Sequence, residues 1–223
     1  MNELPVLALV LWATVAGLDL ASLLQGLLNR PLLAGAVAGV IVGDLGTGLR
    51  TGAVLELFAL DVLPIGASRY ADYGAATVAA VVLGTGRWWE ASLGEGVVLG
   101  LLLAYGGGWT VVLHRRLTMG VLRRAAPALD RGDPGIAARI HLAGLLSDMV
   151  RSAALAGLGV GAAILLRRAP PFDVETGRAL TLVAVAGGFV AVIGGALRRA
   201  GTPRRMAWLA AGIGLGVLGL SLR

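Results

Sequence analysis

The chain has 223 residues, of which 57% are hydrophobic and only 14% are charged, and its mean hydropathy is +0.83. This composition excludes an ordinary soluble domain and favours a protein that lies in a lipid bilayer. All 19 basic residues are arginine, and the absence of cysteine excludes disulfides, thiolate nucleophiles and cysteine-ligated metals.

Five apolar segments each come close to the roughly 20 residues that a transmembrane helix needs. In chain order they are residues 4–24, 93–113, 140–166, 179–197 and 206–222. The first follows Met1-Asn2-Glu3 directly, without the basic region of a cleaved signal peptide. We therefore predict a retained transmembrane helix there.

Three shorter apolar segments follow the first of these helices: residues 31–43, 51–66 and 74–84. The first two are separated by Gly46-Thr47-Gly48, and the second contains Glu56 and Asp61. Two central acids cost about 2.5 to 3.5 kcal/mol each on insertion, whereas each large apolar residue contributes only about 0.3 to 0.6 kcal/mol. The acids must therefore face protein, water or a polar solute, which favours a re-entrant hairpin or a broken helix pair.

The sequence thus predicts an all-α fold, a polytopic membrane protein with full-length transmembrane helices plus short re-entrant or broken helical segments. We expect a single membrane domain over residues 1–223. Glycines recur at four-residue spacing on one helical face, which allows helices to approach closely. The series are Gly35, Gly39 and Gly43, and the pairs Gly48 with Gly52, Gly96 with Gly100, Gly157 with Gly161, and Gly212 with Gly216.

The arginines indicate the orientation of the chain. The predicted loop over residues 114–139 holds six arginines against Asp130 and Asp133, so we expect it to face the cytoplasm. The loop over residues 198–205 should return to that side, which leaves the C-terminus outside. Neither arginine cluster is interleaved with the aromatic residues of a base-stacking surface, so we expect no nucleic acid partner.

A succession of short motifs runs through the N-terminal part of the chain: Arg30-Pro31-Leu32, Gly43-Asp44, Thr47-Gly48, Gly52 to Leu57, Ile65-Gly66-Ala67 and Ala71-Asp72. This succession resembles the membrane permease subunit, component IIC, of the mannose/fructose/sorbose-type sugar phosphotransferase system, with Ala71 where the family usually has proline. The specific part of the resemblance covers residues 25–80.

The resemblance implies a multi-pass protein of the bacterial inner membrane that moves a sugar in a phosphoenolpyruvate-dependent system. It implies a hexose-type substrate, a IID membrane partner in a hetero-oligomer, and soluble IIA and IIB proteins that carry the phosphoryl group. The chain itself would be a transporter subunit that works by alternating access, with no enzymatic activity. We expect no catalytic residue, metal or cofactor, since the sequence contains no hydrolase, zinc or phosphate-binding motif.

Five polar residues are candidate sugar-binding residues. A hexose that leaves water needs replacement hydrogen bonds, and carboxylates accept them strongly. Glu56 and Asp72 are the first candidates and Asp44 is the next, while Gln25 and Asn29 can both donate and accept.

Structural roles for the same acids stay open. Glu56 could be paired with Arg50 or Arg69, Asp72 could be the N-cap of the 74–84 helix, and Asp44 could close a turn. A further pair, Asp148 and Arg151, is spaced to neutralise itself on one helix face.

Two other functions also stay open. One is a degenerate IIC subunit that no longer transports and instead acts as a regulatory membrane scaffold. The other is an unrelated proton-coupled permease of small molecules, with Glu56 and Asp61 as the proton relay.

Overall fold

The computed structural model describes residues 3–22, 26–60, 70–85, 89–170, 172–200 and 202–221. Within these ranges the chain forms eight α-helices and no strand. The helices are α1 (Glu3–Leu18), α2 (Pro31–Val42), α3 (Leu45–Ala59), α4 (Tyr73–Gly84), α5 (Trp89–Leu129), α6 (Pro134–Leu166), α7 (Val174–Ala200) and α8 (Pro203–Ser221).

Three helices in the described part of the chain are long and apolar enough to cross a membrane: Leu93–Leu129, Pro134–Leu166 and Val174–Gly195. Large apolar side chains on these helices are exposed, including those of Leu102, Leu158 and Val183. Such exposure is expected where a helix faces lipid instead of water. Long helices combined with shorter ones confirm the predicted fold class.

Helix α4 lies at the centre of the molecule, and every one of its twelve residues is buried. It packs against α1, α2, α3, α5 and α6. Its small side chains allow close contact, since a Cβ added at Gly96 of α5 would lie 2.8 Å from the carbonyl oxygen of Ala80. Near its C-terminal end, Nη1 of Arg167 donates to the carbonyl oxygen of Val82 at 2.7 Å.

Helices α2 and α3 form a tight hairpin that packs against α4. A Cβ added at Gly35 would lie 2.5 Å from the carbonyl oxygen of Gly48, and one added at Gly52 would lie 2.6 Å from that of Pro31. Gly43, at φ 77°, ends α2 in the left-handed region and turns the chain. Both open ends of the hairpin therefore lie at the same end of the bundle, as a re-entrant segment requires.

The predicted glycine contacts are confirmed in part. Gly39 packs on Gly48, and a Cβ added at Gly100 would touch Leu55 at 3.0 Å. Gly157 and Gly161 have nothing within 4 Å of an added Cβ, and the same holds for Gly212. These last glycines leave open surface on α6 and α8 and mediate no contact within the described chain.

Two predicted element boundaries on the N-terminal side are wrong. The helix expected over 4–24 ends at Leu18, because the chain turns there and buries the Asp19 side chain. The expected break at Gly46-Thr47-Gly48 lies inside α3, because Asp44 accepts a hydrogen bond from the Thr47 amide and starts the helix there.

The predicted cytoplasmic loop over residues 114–139 is mostly helical. Helix α5 continues to Leu129 and α6 begins at Pro134, where Oδ1 of Asp133 accepts from the Gly135 amide at 2.9 Å. Alanine, leucine and arginine favour helix, so the segment extends both helices beyond the length that a bilayer requires. Only the turn around Gly132, at φ 75°, interrupts them.

Candidate functional site

A cluster of five polar side chains is enclosed between the end of α1, the start of α4 and the middle of α6. We call it the buried polar cluster, and its members are Asp19, Asn29, Asp72, Asp148 and Arg151. The three aspartates are 0–1% exposed. The Arg151 side chain is 8% exposed.

Arg151 joins two of the buried carboxylates. Its Nε donates to Oδ1 of Asp148 at 2.7 Å, which confirms the pair predicted on this helix. Its Nη1 donates to Oδ2 of Asp72 at 2.9 Å and to Oγ1 of Thr110 at 3.2 Å. Asp72 occupies the N-cap position of α4 but makes no capping hydrogen bond, because its side chain faces Arg151 instead.

Asn29 connects the aspartates of two different segments. Its Nδ2 donates to Oδ1 of Asp72 at 3.3 Å and to the carbonyl oxygen of Ala16 at 3.1 Å. Its backbone amide donates to Oδ2 of Asp19 at 3.0 Å, and the Gly26 amide donates to the same oxygen at 3.2 Å. The cluster therefore ties the connection between α1 and α2 to the central helix.

Ser22 closes the other side of this connection, because its hydroxyl donates to Oδ2 of Asp148. Two buried carboxylates, those of Asp72 and Asp148, thus share one guanidinium, and the third, that of Asp19, is held by two backbone amides. Buried charges persist only where hydrogen bonds and opposite charges replace water, so this cluster is costly for the fold. Such a cluster in a membrane helix bundle is a candidate site for a polar ligand.

Glu56 lies outside the buried polar cluster, at the open end of the α2–α3 hairpin. Its Oε1 pairs with Nη1 of Arg30 at 3.2 Å, and its Oε2 accepts from the Leu32 amide at 3.2 Å. The carboxylate therefore holds the end of α3 against the positive N-terminus of α2. Arg30 takes the place that the sequence suggested for Arg50, while Arg69 lies outside the described residues.

Asp44 lies at the opposite end of the hairpin, at its tip. Its side chain accepts from the Thr47 amide at 3.0 Å and from the Thr47 hydroxyl at 2.7 Å. This is the turn-closing role that the sequence left open for it. Gln25 and Asp61 lie outside the described residues, as does the Ile65-Gly66-Ala67 motif.

The structure thus brings Asn29 and Asp72 together among the candidate residues and leaves Glu56 and Asp44 apart from them. Sequence reasoning missed Asp19 and the contact between Arg151 and Asp72. The signal for Asp19 was present, since an acid inside the apolar 4–24 segment meets the criterion that identified Glu56. The signal for the Arg151 contact was absent, because it joins residues 79 positions apart.

The comparisons with known proteins agree with this architecture. The family model described as the sorbose-specific IIC component of the phosphotransferase system matches residues 4–217. The mannose-specific EIIC component of Escherichia coli K12 is 29% identical over 174 residues, which cover 76% of this chain and 63% of that protein. The chain therefore spans just under two thirds of the length of that relative.

A second relative and two solved structures cover more of the chain. The sorbose-specific EIIC component of Klebsiella pneumoniae is 29% identical over 203 residues, covering 88% of this chain and 73% of that protein. A solved chain described as a membrane protein has a TM-score of 0.68 and 26% identity, and it covers 100% of this chain and 94% of its own length. The mannose transporter ManYZ in complex with microcin E492 has a TM-score of 0.61 at 24% identity with the same coverage, and therefore shares the fold.

The family, the fold and the apolar helices establish a multi-pass protein of the bacterial inner membrane. The chain belongs to the family of sorbose-type IIC components of the phosphotransferase system.

Proposed function

We propose that this chain is the sugar-translocating subunit of a phosphoenolpyruvate-dependent phosphotransferase system of the mannose/fructose/sorbose class. It works with a IID membrane subunit, and soluble IIA and IIB proteins deliver the phosphoryl group to the sugar. The relatives that are named as mannose- and sorbose-specific components support the substrate class. The solved mannose transporter ManYZ, which has the same fold, supports the partnership with a second membrane subunit.

The buried polar cluster is the observation that carries this proposal. A hexose is uncharged and loses hydrogen bonds with water when it enters a bilayer, and a passage must replace them. Asn29 supplies an amide, and Asp72 supplies a carboxylate that Arg151 holds in a fixed orientation. These are the groups that recognise hydroxyls inside an otherwise apolar helix bundle.

The division between long and short helices supports a mechanism of alternating access. The α2–α3 hairpin would move with its sugar against the scaffold of α5, α6 and α7. Both carboxylate oxygens of Glu56 are occupied here, by Arg30 and by the Leu32 amide. A sugar hydroxyl that binds Glu56 would therefore displace Arg30, whose side chain is 47% exposed and free to turn toward solvent.

Sugar uptake tests the proposal. Cells that lack their own transporters would receive this chain, its IID partner and the complete set of carrier proteins. We expect accumulation of phosphorylated mannose, fructose or sorbose that depends on phosphoenolpyruvate and on this subunit. Background uptake by a correctly assembled complex would contradict the proposal and favour the regulatory scaffold instead.

Of the two other functions that the sequence left open, one remains. Membership of the IIC family excludes an unrelated proton-coupled permease. The scaffold stays a second candidate because α8 packs only on α7 in the described part of the chain and adds nothing to the core. The uptake experiment separates it from a transporting subunit.

A further inference from the structure

Two polar atoms of the buried polar cluster are enclosed by protein and have no hydrogen-bond partner in the described structure. They are Oδ1 of Asp19 and Nη2 of Arg151. An unmet buried acceptor or donor costs about 1 to 3 kcal/mol, and more when it is charged. Buried polar atoms without a hydrogen-bond partner are rare in native structures, and each one requires a physical explanation such as a bound ligand or water.

Both atoms are held in fixed orientations. Two backbone amides, those of Gly26 and Asn29, bind Oδ2 of Asp19 and leave its Oδ1 vacant. Asp148 and Asp72 bind two nitrogens of Arg151 and leave Nη2 vacant. Asn29 contacts both Asp19 and Asp72, so the vacant acceptor and the vacant donor belong to one connected network.

The chemistry of the cluster selects the ligand. An anion is disfavoured, because Asp72 and Asp148 already pair with the single guanidinium and Asp19 adds a third buried carboxylate to the cluster. A metal ion is disfavoured as well, since no group of three His, Cys, Asp or Glu side chains among the described residues could hold one. A neutral hydroxyl-bearing molecule fits, because a hydroxyl group both donates and accepts.

We propose that Asp19 and Arg151 contact the sugar directly, with Oδ1 of Asp19 accepting from one hydroxyl and Nη2 of Arg151 donating to a sugar oxygen. This inference rests on the proposed function and adds two residues to its site. Neither atom is reached by solvent in this closed form. The unmet atoms destabilise the closed, empty form and therefore favour the sugar-bound one.

The substitution Asp19→Asn tests the acceptor. The amide oxygen can still accept from the Asn29 and Gly26 amides, while the charged acceptor at the vacant position is lost. The parent chain, co-purified with its IID partner, is first screened for binding of labelled D-mannose, D-fructose and L-sorbose. For the sugar that binds best, we expect Asp19→Asn to weaken binding about tenfold, the difference between a charged and a neutral hydrogen bond.

Deoxy analogues of that sugar locate the contact. The analogue that lacks the hydroxyl bound by Asp19 should have the same affinity for the parent and for Asp19→Asn. Asp148→Asn is the matched control, since both oxygens of Asp148 already have protein partners. Any effect of this control acts through Arg151 and should be the same for every analogue.

The outcomes are distinguishable. Unchanged binding by Asp19→Asn, or an equal loss for all analogues, would overturn the inference and assign the vacant oxygen to a buried water. A well-assembled parent complex that binds none of the three sugars would instead contradict the proposed function. If Asp19→Asn does not assemble, Arg151→Lys tests the proposed donation from Nη2 to the sugar, because lysine keeps the positive charge and lacks Nη2. We again expect weaker binding that one deoxy analogue does not show.

Discussion

At the scale of single residues, Arg151 neutralises more buried charge than any other side chain in the described structure. It is the counter-ion of both Asp72 and Asp148, and each of these acids is at most 1% exposed. Removing one partner of a buried ion pair leaves an uncompensated charge, which costs more than the pair contributes. The i, i+3 spacing predicted the pair of Arg151 with Asp148, whereas the contact of Arg151 with Asp72 is seen only in the folded chain.

We therefore expect Arg151→Met to destabilise the protein by about 3 to 5 kcal/mol, because two buried carboxylates lose their counter-ion. Thermal unfolding of the purified complex measures the loss. Arg139→Met is the control, since Arg139 is exposed on the same helix and should change stability by less than about 0.5 kcal/mol. Equal unfolding temperatures for both variants would show that the cluster does not need this charge.

Glu56 makes a weaker and more accessible pair. Its side chain is 17% exposed and that of Arg30 is 47% exposed, so solvent screens their attraction. Glu56→Gln should therefore cost no more than about 1 kcal/mol of stability. We expect it to weaken hexose binding to the complex several-fold, because an amide accepts hydroxyl hydrogen bonds less strongly than a carboxylate.

Equilibrium binding of labelled hexose to the complex measures this effect. Glu175→Gln is the control, since Glu175 is exposed in the first turn of α7. If Glu56→Gln binds sugar as tightly as the parent, Glu56 serves only to hold the hairpin closed.

At the scale of secondary-structure elements, the α2–α3 hairpin depends on contact between backbones. Glycines from both helices face each other, so no side chain separates the two. Trp12 of α1 also donates from its indole nitrogen to the carbonyl oxygen of Ala34 at 3.0 Å, which ties the hairpin to its neighbour. A hairpin with this packing can move as one rigid body, as the proposed transport cycle requires.

Gly48→Ala should separate the two helices. An added Cβ would collide with the carbonyl oxygen of Gly35 and would lie 2.8 Å from Cα of Gly39. Both are backbone atoms, so they can move only if the helix shifts. We expect a loss of about 1 to 3 kcal/mol in thermal unfolding. Gly157→Ala is the matched control: nothing lies within 4 Å of its added Cβ, so it should be neutral or stabilising by up to about 1 kcal/mol.

This pair of variants isolates packing from helix propensity, since both replace glycine by alanine inside a helix. Stability of Gly48→Ala equal to that of Gly157→Ala would mean that the hairpin is not closely packed in the membrane.

At the scale of the whole molecule, the arginine-rich ends of α5 and α6 predict the orientation of the chain in the membrane. The buried polar cluster contacts α5 at Thr110 and α6 at Asp148 and Arg151. These residues lie near the middle of both helices, so the cluster is expected at mid-depth in the membrane. By the positive-inside rule we expect the turn between α5 and α6 to face the cytoplasm.

Cysteine labelling tests this orientation, since the chain has no cysteine of its own. Asp130→Cys, in the turn between α5 and α6, should react with an impermeant maleimide only from the cytoplasmic side. Glu175→Cys, beyond the other end of α6, should react from the outside of spheroplasts. Both positions are exposed, so access to the reagent depends on the membrane alone. Labelling of both from one side would contradict a single crossing by α6.

The sequence by itself determined the membrane class, the all-helical fold, the family and the close packing of the glycines in the hairpin. The family follows from the resemblance of the short motifs between Arg30 and Asp72. The membrane class and the fold follow from composition, and the glycine contacts follow from spacing within one helix, where neighbours along the chain are neighbours in space. The sequence also predicted the Asp148–Arg151 pair, for the same reason.

Only the tertiary structure decided how far α1 extends, that α5 and α6 continue through most of residues 114–139, and which acids meet. Asp19 and Asn29 lie in one connection, but Asp72 and Arg151 come from segments far from it in the chain, and no local pattern encodes their contact. A buried charge is stable only when partners replace its water, and for Asp72 these partners come from distant segments, so the composition of the cluster is a property of the folded chain.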